Sequence, residues 1–273
     1  MTWRERTYNS WLTQRNAILK YMKKSYYKCD TEKLHIELKE VFKEKKIDKE
    51  TIRFIEGKTF LYGIKFIFFV VLSALKLNHY YIMGLLWYRT FLFDKNFAKK
   101  LIGRKRKNLL DIWAGSWSIT EKFGSHVEKI YCQEPSHSFQ KILKKKWYKI
   151  IEEKSKGKYE VITLFNVIDI CNLPEKTLES AQKKSDDNGI IIISLPFPVC
   201  ARSWDNKNIR KTNQLSQSKE MSFEEAVSDF YVNFLKKHKL KVTYFTRLPY
   251  IVSLPETQKS ATYDNGLFVC KKI

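Results

Sequence analysis

Residues 108–120 read Asn108-Leu109-Leu110-Asp111-Ile112-Trp113-Ala114-Gly115-Ser116-Trp117-Ser118-Ile119-Thr120. An apolar run carries an acid and then breaks into a small-residue turn before the chain becomes helical again. That is the grammar of a strand feeding a βα turn, and in an open α/β sheet ligands sit beyond the carboxyl ends of such strands. A turn of this kind ordinarily holds glycine, which tolerates left-handed φ and lets the backbone approach a ligand closely. Here Ala114 and Gly115 stay small, but Trp113 and Trp117 stand where glycine is expected. Two indoles in a turn built for close approach would crowd a bound cofactor.

Working outward, short apolar runs alternate with amphipathic segments on both sides of this turn. Leu109–Ala114, Lys129–Cys132, Tyr148–Ile151, Val161–Asn166 and Ile190–Leu195 read as strands. Helical stretches near 117–123, 136–146 and 174–184 separate them, and this spacing predicts a parallel sheet covered on both faces. Beyond Leu195 the pattern loosens through Pro196, Pro198 and a polar insert to Glu220. A helix (Ser222–Lys237), a strand (Lys241–Thr246) and a last strand (Leu267–Lys271) close the unit. The expected organisation is a helical extension over 1–100 packed on a sheet-centred domain over 101–273.

In the extension, Leu34, Leu38, Val41 and Phe42 fall on one stripe of a charged helix opened by Asp30 or Thr31, and Trp11, Ile18, Leu19, Met22 and Tyr26 make a similar face before it. Helices at 52–56 and 59–77 follow, with Gly57 as a break. The run FIFFVVLSAL (66–75) is bracketed by Lys65 and Lys76, too short for the roughly 20 residues a spanning helix needs, so no membrane span is expected. The start, MTWRERTYNSWLTQR, lacks the apolar core of a signal peptide, which points to an intracellular, cytoplasmic protein.

Fifty-one Lys and Arg against 29 Asp and Glu leave a formal charge of +22. This balance fits nucleic acid or an anionic surface as partner, and equally a lysine-rich chain with solvated basic faces. Cys29, Cys132, Cys171, Cys200 and Cys270 are odd in number and form no CxxC pair, the pattern of buried thiols in a reducing compartment. The five histidines are scattered, so no metal site is expected.

The predicted rim of the sheet collects polar residues. Glu134 ends the second strand about twenty residues after the turn, where an acid can grip ribose hydroxyls. Asn166 and Asp169 end the fourth. Order and spacing resemble a class I S-adenosylmethionine-dependent methyltransferase. Within that superfamily LLDIWAGSWSIT (109–120), YCQEPS (131–136), TLFNVIDIC (163–171), ISLPF (193–197), FEEA (223–226) and above all FTRLPY (245–250) resemble the DREV family of protein-histidine N-pros-methyltransferases. The resemblance implies a Rossmann-like fold, with a mostly parallel seven-stranded sheet, helices on both faces and a helical N-terminal extension. It implies S-adenosylmethionine as cofactor, held by Asp111, Ala114, Gly115, Glu134 and Asn166. A histidine-containing peptide or protein is the implied substrate, with Asp169 and Asn166 at the methyl-transfer centre and Tyr250 and Tyr263 toward the acceptor.

The chain departs from the family's pattern in two places. Trp113 and Trp117 replace loop glycines, and Ser116 stands where the family has an acid. Counting from Tyr250, the family's tyrosine pair falls on Ser260-Ala261, while Tyr263 lies nearby and out of register. Three readings follow: a protein-histidine methyltransferase, a cofactor-free binding module on the same fold, and a nucleic-acid binder or methyltransferase suggested by charge alone.

Overall fold

The computed structural model describes residues 28–56, 71–72, 90–115, 117–199, 202–205, 208–211, 215–254 and 259–273. The expected helical face at 11–26, nearly all of the 59–77 helix, Ser116 and Cys200 lie outside the described residues. Among the described residues, no helix is long and apolar enough to cross a membrane.

Among the described residues there are ten strands: β1 (Thr90–Phe91), β2 (Arg106–Ile112), β3 (Val127–Gln133), β4 (Lys149–Ile150), β5 (Tyr159–Phe165), β6 (Ser185–Pro196), β7 (Arg202–Asp205), β8 (Asn208–Lys211), β9 (Leu240–Leu254) and β10 (Lys259–Lys272). Eight of them form one sheet in the order β1-β9-β10-β6-β5-β2-β3-β4, and β7 and β8 form a separate hairpin. From β4 to β6 every pairing is parallel, whereas β10 and β9 join antiparallel. The order reverses at β2, whose neighbours are β3 and β5, so the crevice for a ligand opens above its end.

The sheet reads from the sequence because its central strands are apolar on both faces. In β6, Ile191 and Ile193 enter one core cluster and Ile190 and Ile192 the other. Leu110 and Leu109 divide the same way in β2, as do Ile162 and Val161 in β5. Each such side chain contributes about 1.5–3 kcal/mol by leaving water. One face is covered by α5 (Pro174–Lys184) and α6 (Phe223–Phe230). The other is covered by α3 (Lys95–Ile102) and an aromatic cluster in which Phe93 meets Phe97, Phe123 and Phe165. Among the described residues the other α-helices are α1 (Ile36–Val41), α2 (Lys49–Glu56) and α4 (His137–Lys145), and a π-helical stretch, Tyr231–Lys236, follows α6.

Several expectations are corrected. The sheet has eight strands rather than seven, because Thr90–Phe91 pairs with Ile251 and Val252 at the edge. The polar insert after Leu195 contains the β7–β8 hairpin. The helix expected at 117–123 is a single 3-10 turn, Thr120–Phe123. The helix expected to open at Asp30 is split: Asp30 caps a 3-10 turn (Thr31–Lys33), and α1 starts afresh with His35 as its cap. Leu34 and Leu38 are nonetheless buried on the main core, where Val41 and Phe42 pack.

This N-terminal piece is stitched to the distant family-like motifs. Arg247 of FTRLPY donates to the Lys28 carbonyl (3.0 Å) and the Glu224 carboxylate (3.4 Å), and pairs with Asp264 at 2.7 Å. Its guanidinium lies over the Phe223 ring at 4.3 Å, while Glu224 accepts the Asp30 amide. Ser222 and Glu225 close a reciprocal capping box on α6, so FEEA supplies both a helix start and a ligand for Arg247.

Candidate active site at the ends of β2, β3 and β5

The turn after β2 keeps the backbone of a glycine loop with tryptophans in it. Trp113 has φ 60°, Gly115 φ 55° and Trp117 φ 64°. Left-handed backbone costs a side-chain-bearing residue roughly 1–2 kcal/mol, so two of the three positions are strained. Packing offsets the strain at Trp117. Its indole is buried with Cys132, Leu143, Ile142, Tyr148 and Ile150, in the layer between α4 and strands β3–β4. The ring thus turns aside from the crevice into core. Trp113 is half-buried against the main cluster, and its amide donates to the Gln133 carbonyl at 2.6 Å.

Asp111 and Glu134 sit on either side of this loop with different work. Asp111 is 3% exposed. One of its oxygens accepts from Thr163 Oγ1 at 2.7 Å and the other from Thr120 Oγ1, which ties β2 to β5 and to the turn beyond the loop. Burial pushes its carboxyl up to about 6; the two hydroxyls oppose that rise and the Glu134 charge adds to it. Glu134 accepts the Gly115 amide and the Ser136 amide, each at 2.8 Å. Burial raises it too, against those two amides. The acid at the end of β3 is therefore clasped to the loop. Ala114 lies half-exposed in the same turn, and its carbonyl accepts the Trp117 amide.

At the end of β5, Asn166 also takes left-handed backbone (φ 55°), which asparagine tolerates better than most residues. Its side-chain oxygen accepts from Asn265 Nδ2 at 2.5 Å, and the same Nδ2 reaches Ser194 Oγ at 3.0 Å. That bond turns the Asn166 amide so that Nδ2 is left over. Asn166 Nδ2 and Asp169 Oδ1 are both buried without a hydrogen-bond partner among the described residues. A buried polar atom left unpaired costs about 1–3 kcal/mol, and here a donor and an acceptor stand three residues apart. Burial lifts the Asp169 carboxyl to about 6.

The tyrosines join from β9 and β10. Tyr263 stands directly opposite Tyr250 in the ladder, with ring centroids 6.2 Å apart. Ser260 and Ala261, where the family's tyrosine pair falls by counting, pair with Ser253 and Val252 farther out. Burial and the neighbouring Asp169 charge raise the Tyr250 hydroxyl, and a bond with Thr90 opposes them. Thr90 in turn bonds Ser118 of the loop. The structure thus groups Asn166, Asp169 and Tyr250, places Tyr263 beside Tyr250, and keeps Asp111 under the loop. Sequence reading missed Asn265, Ser194, Thr163 and Thr120. The available signal was a polar residue inside an otherwise apolar strand, since Asn265, Ser194 and Thr163 are all 0% exposed.

The DREV methyltransferase family model matches residues 26–272. Among solved structures the chain is similar to the glycopeptide N-methyltransferase MtfA complexed with sinefungin, at 11% identity and TM-score 0.44, covering 66% of this chain and 86% of that one. It is similar to the precorrin-6y C5,15-methyltransferase from Geobacter metallireducens at 11% identity and TM-score 0.43, covering 66% and 87%. The N-methyltransferase NodS from Bradyrhizobium japonicum, solved with S-adenosyl-L-homocysteine, matches at 10% identity and TM-score 0.42, covering 65% and 85%.

Proposed function

Because the chain belongs to the DREV methyltransferase family, we propose that it uses S-adenosylmethionine to methylate the pros nitrogen of a histidine in a peptide or protein. The observation that carries this reading is the unpartnered pair at the end of β5, Asn166 Nδ2 and Asp169 Oδ1, beside Tyr250. An imidazole whose tele N–H points at Asp169 Oδ1 is held as one tautomer, with the pros lone pair free. Asn166 donates to the cofactor or to the acceptor backbone, and Tyr250 and Tyr263 flank the ring.

The residues present fit the cofactor. Glu134 already takes two amides, but a carboxylate offers about four lone-pair sites, which leaves room for ribose hydroxyls. With Trp117 turned into the core, Ala114 and Gly115 remain as the small face of the loop. Asp111, enclosed by Thr120 and Thr163, acts by holding that loop. The cofactor supplies an electrophilic methyl group on a sulfonium. Transfer would break the sulfonium carbon–sulfur bond and leave the neutral thioether of S-adenosylhomocysteine. Asp169 would hold the tele N–H and then accept that proton and pass it to solvent, so that the methylated histidine leaves neutral. No strong base is needed, since a histidine with a value near 6.5 is already mostly neutral at pH 7.

A second reading has its own support: two strained tryptophans in the loop, with both oxygens of Asp111 and of Glu134 engaged inside the protein. A cofactor-free binding module would look like this. Calorimetric titration with S-adenosylmethionine and S-adenosylhomocysteine separates the two, because the binding module gives no heat with either.

Asp169→Asn tests the mechanism. Turnover on a histidine peptide should fall by 10²-fold or more, the usual cost of losing an orienting group, while cofactor affinity holds. Parent activity should also fall as the pH drops through about 6, where Asp169 gains a proton. The same group predicts a stability difference. Its folded value near 6 against an ordinary 3.8 means that burying the charge costs on the order of 2–3 kcal/mol above pH 6 and nothing below pH 4. Asp169→Asn should therefore melt higher than the parent at pH 8, and the gap should close by pH 4. Unchanged turnover would remove Asp169 from the chemistry.

A further inference from the structure

The end of α4 carries a feature that methyl transfer does not use. Trp147 is 94% exposed, the most exposed of the large apolar side chains among the described residues. Its backbone is left-handed (φ 65°). The local bonds explain the conformation. Tyr148 N–H reaches back to the Leu143 carbonyl and Trp147 N–H to Lys144, the reverse turn that ends many helices and normally places glycine at this position. A tryptophan here is disfavoured twice, by backbone strain and by an indole left in water. Nothing described elsewhere in the chain covers it.

Its surroundings are cationic. Lys141, Lys144 and Lys145 are exposed and share one face of α4, three and four residues apart, and lead up to the indole. Lys146 and Lys149 are exposed on either side of it, and none of Lys141, Lys144, Lys145 or Lys149 enters an ion pair among the described residues. From 137 to 158 the chain holds eight lysines and two glutamates. The following strand, β4, is the free edge of the sheet. Counted across β3, β2, β5 and β6, this edge stands about 24 Å from β10 and the tyrosine pair, at the usual 4.8 Å per strand.

We infer that this edge is a docking surface for single-stranded nucleic acid, with a base stacked on Trp147 and the phosphates on Lys141, Lys144, Lys145 and Lys149. An exposed indole accepts any base, because every base has a π-face, and the lysines track the backbone; together they make a sequence-tolerant platform. A membrane surface suits the site less well. Interfacial insertion buries a stripe of apolar side chains, whereas Trp147 is the only large exposed apolar side chain in this stretch. The surface is independent of the methyl-transfer reading and stands or falls without it.

The test uses the full chain and a fluorescently labelled twelve-nucleotide oligo-uridine, read by anisotropy across a salt series. The parent should bind with a log–log salt slope of about −0.7 per phosphate engaged. Trp147→Ala should weaken binding on the order of tenfold, the effect of one lost stacked base, and Trp147→Phe should recover most of it. Lys144→Glu with Lys145→Glu should make the salt slope shallower. Trp147→Gly, which suits the left-handed backbone, should lose affinity while its melting temperature rises, so misfolding cannot explain the loss. Equal affinity in parent and Trp147→Ala would show attraction by net charge alone and overturn the inference. So would phosphatidylserine vesicles that bind in a Trp147-dependent way while the oligonucleotide does not.

Discussion

The loop after β2 and the end of α4 each place a tryptophan where the backbone turns left-handed, and they treat the indole in opposite ways. Trp117, at φ 64°, is 2% exposed within a cluster built from β3, β4 and α4; Trp147, at φ 65°, is 94% exposed. The backbone cost is the same, roughly 1–2 kcal/mol each. What differs is what offsets it. Burial of an indole outweighs the strain at Trp117, and among the described residues nothing does so at Trp147. A strained residue that packs is explained by folding, and a strained residue that does not pack asks for a partner outside the molecule.

The largest expected effect comes from removing the offset. Trp117→Gly relieves the backbone but empties a well-packed site, where large aromatic deletions cost 3–5 kcal/mol. Subtracting the strain relieved, the net loss should be about 1–4 kcal/mol in a denaturant titration. A gain in stability would mean that the indole is itself a burden, and the contrast with Trp147 would vanish. Next comes Asn265→Leu, which leaves the Asn166 amide free to turn and strips Ser194 of a partner. Destabilisation of about 1–3 kcal/mol should accompany a loss of turnover larger than any loss of cofactor affinity. Trp113→Gly should be nearly neutral, since a half-buried ring gives up about what the backbone gains; its calorimetric signature is tighter cofactor binding at unchanged melting temperature. Trp147→Gly should bring a gain of about 1 kcal/mol with the enzymatic rate untouched. Were Trp147→Gly to destabilise the fold, the exposed indole would have a packing role, and its need for an outside partner would disappear.

How far the sequence disclosed this arrangement depends on whether a residue's environment repeats. The strands β2, β3, β5 and β6 were legible because both of their faces are buried, which leaves continuous apolar runs. The edge strand Thr90–Phe91 was not, since two residues carry no period, and the β7–β8 hairpin was masked by its polar composition. In the site, Asn166 and Asp169 were visible as polar residues ending an apolar strand. Asn265 was hidden because a single amide inside Leu267-Phe268-Val269-Cys270's strand looks like noise until Asn166 is seen beside it. The place of Tyr263 could not be counted along the chain. Its partner is set by the ladder between β9 and β10, and only the ladder puts it across from Tyr250.

The bond from the Gly115 amide to Glu134 makes one proton a witness to events in the crevice. Gly115 lies in an irregular turn, where backbone hydrogens usually exchange quickly with solvent. Clasped to a buried carboxylate, this one should exchange slowly and resonate apart from other glycine signals. A ligand that draws on the Glu134 oxygens must lengthen or share that bond. Deuterium uptake at Gly115 therefore times the opening of the loop, and it does so whether or not any methyl group is ever moved.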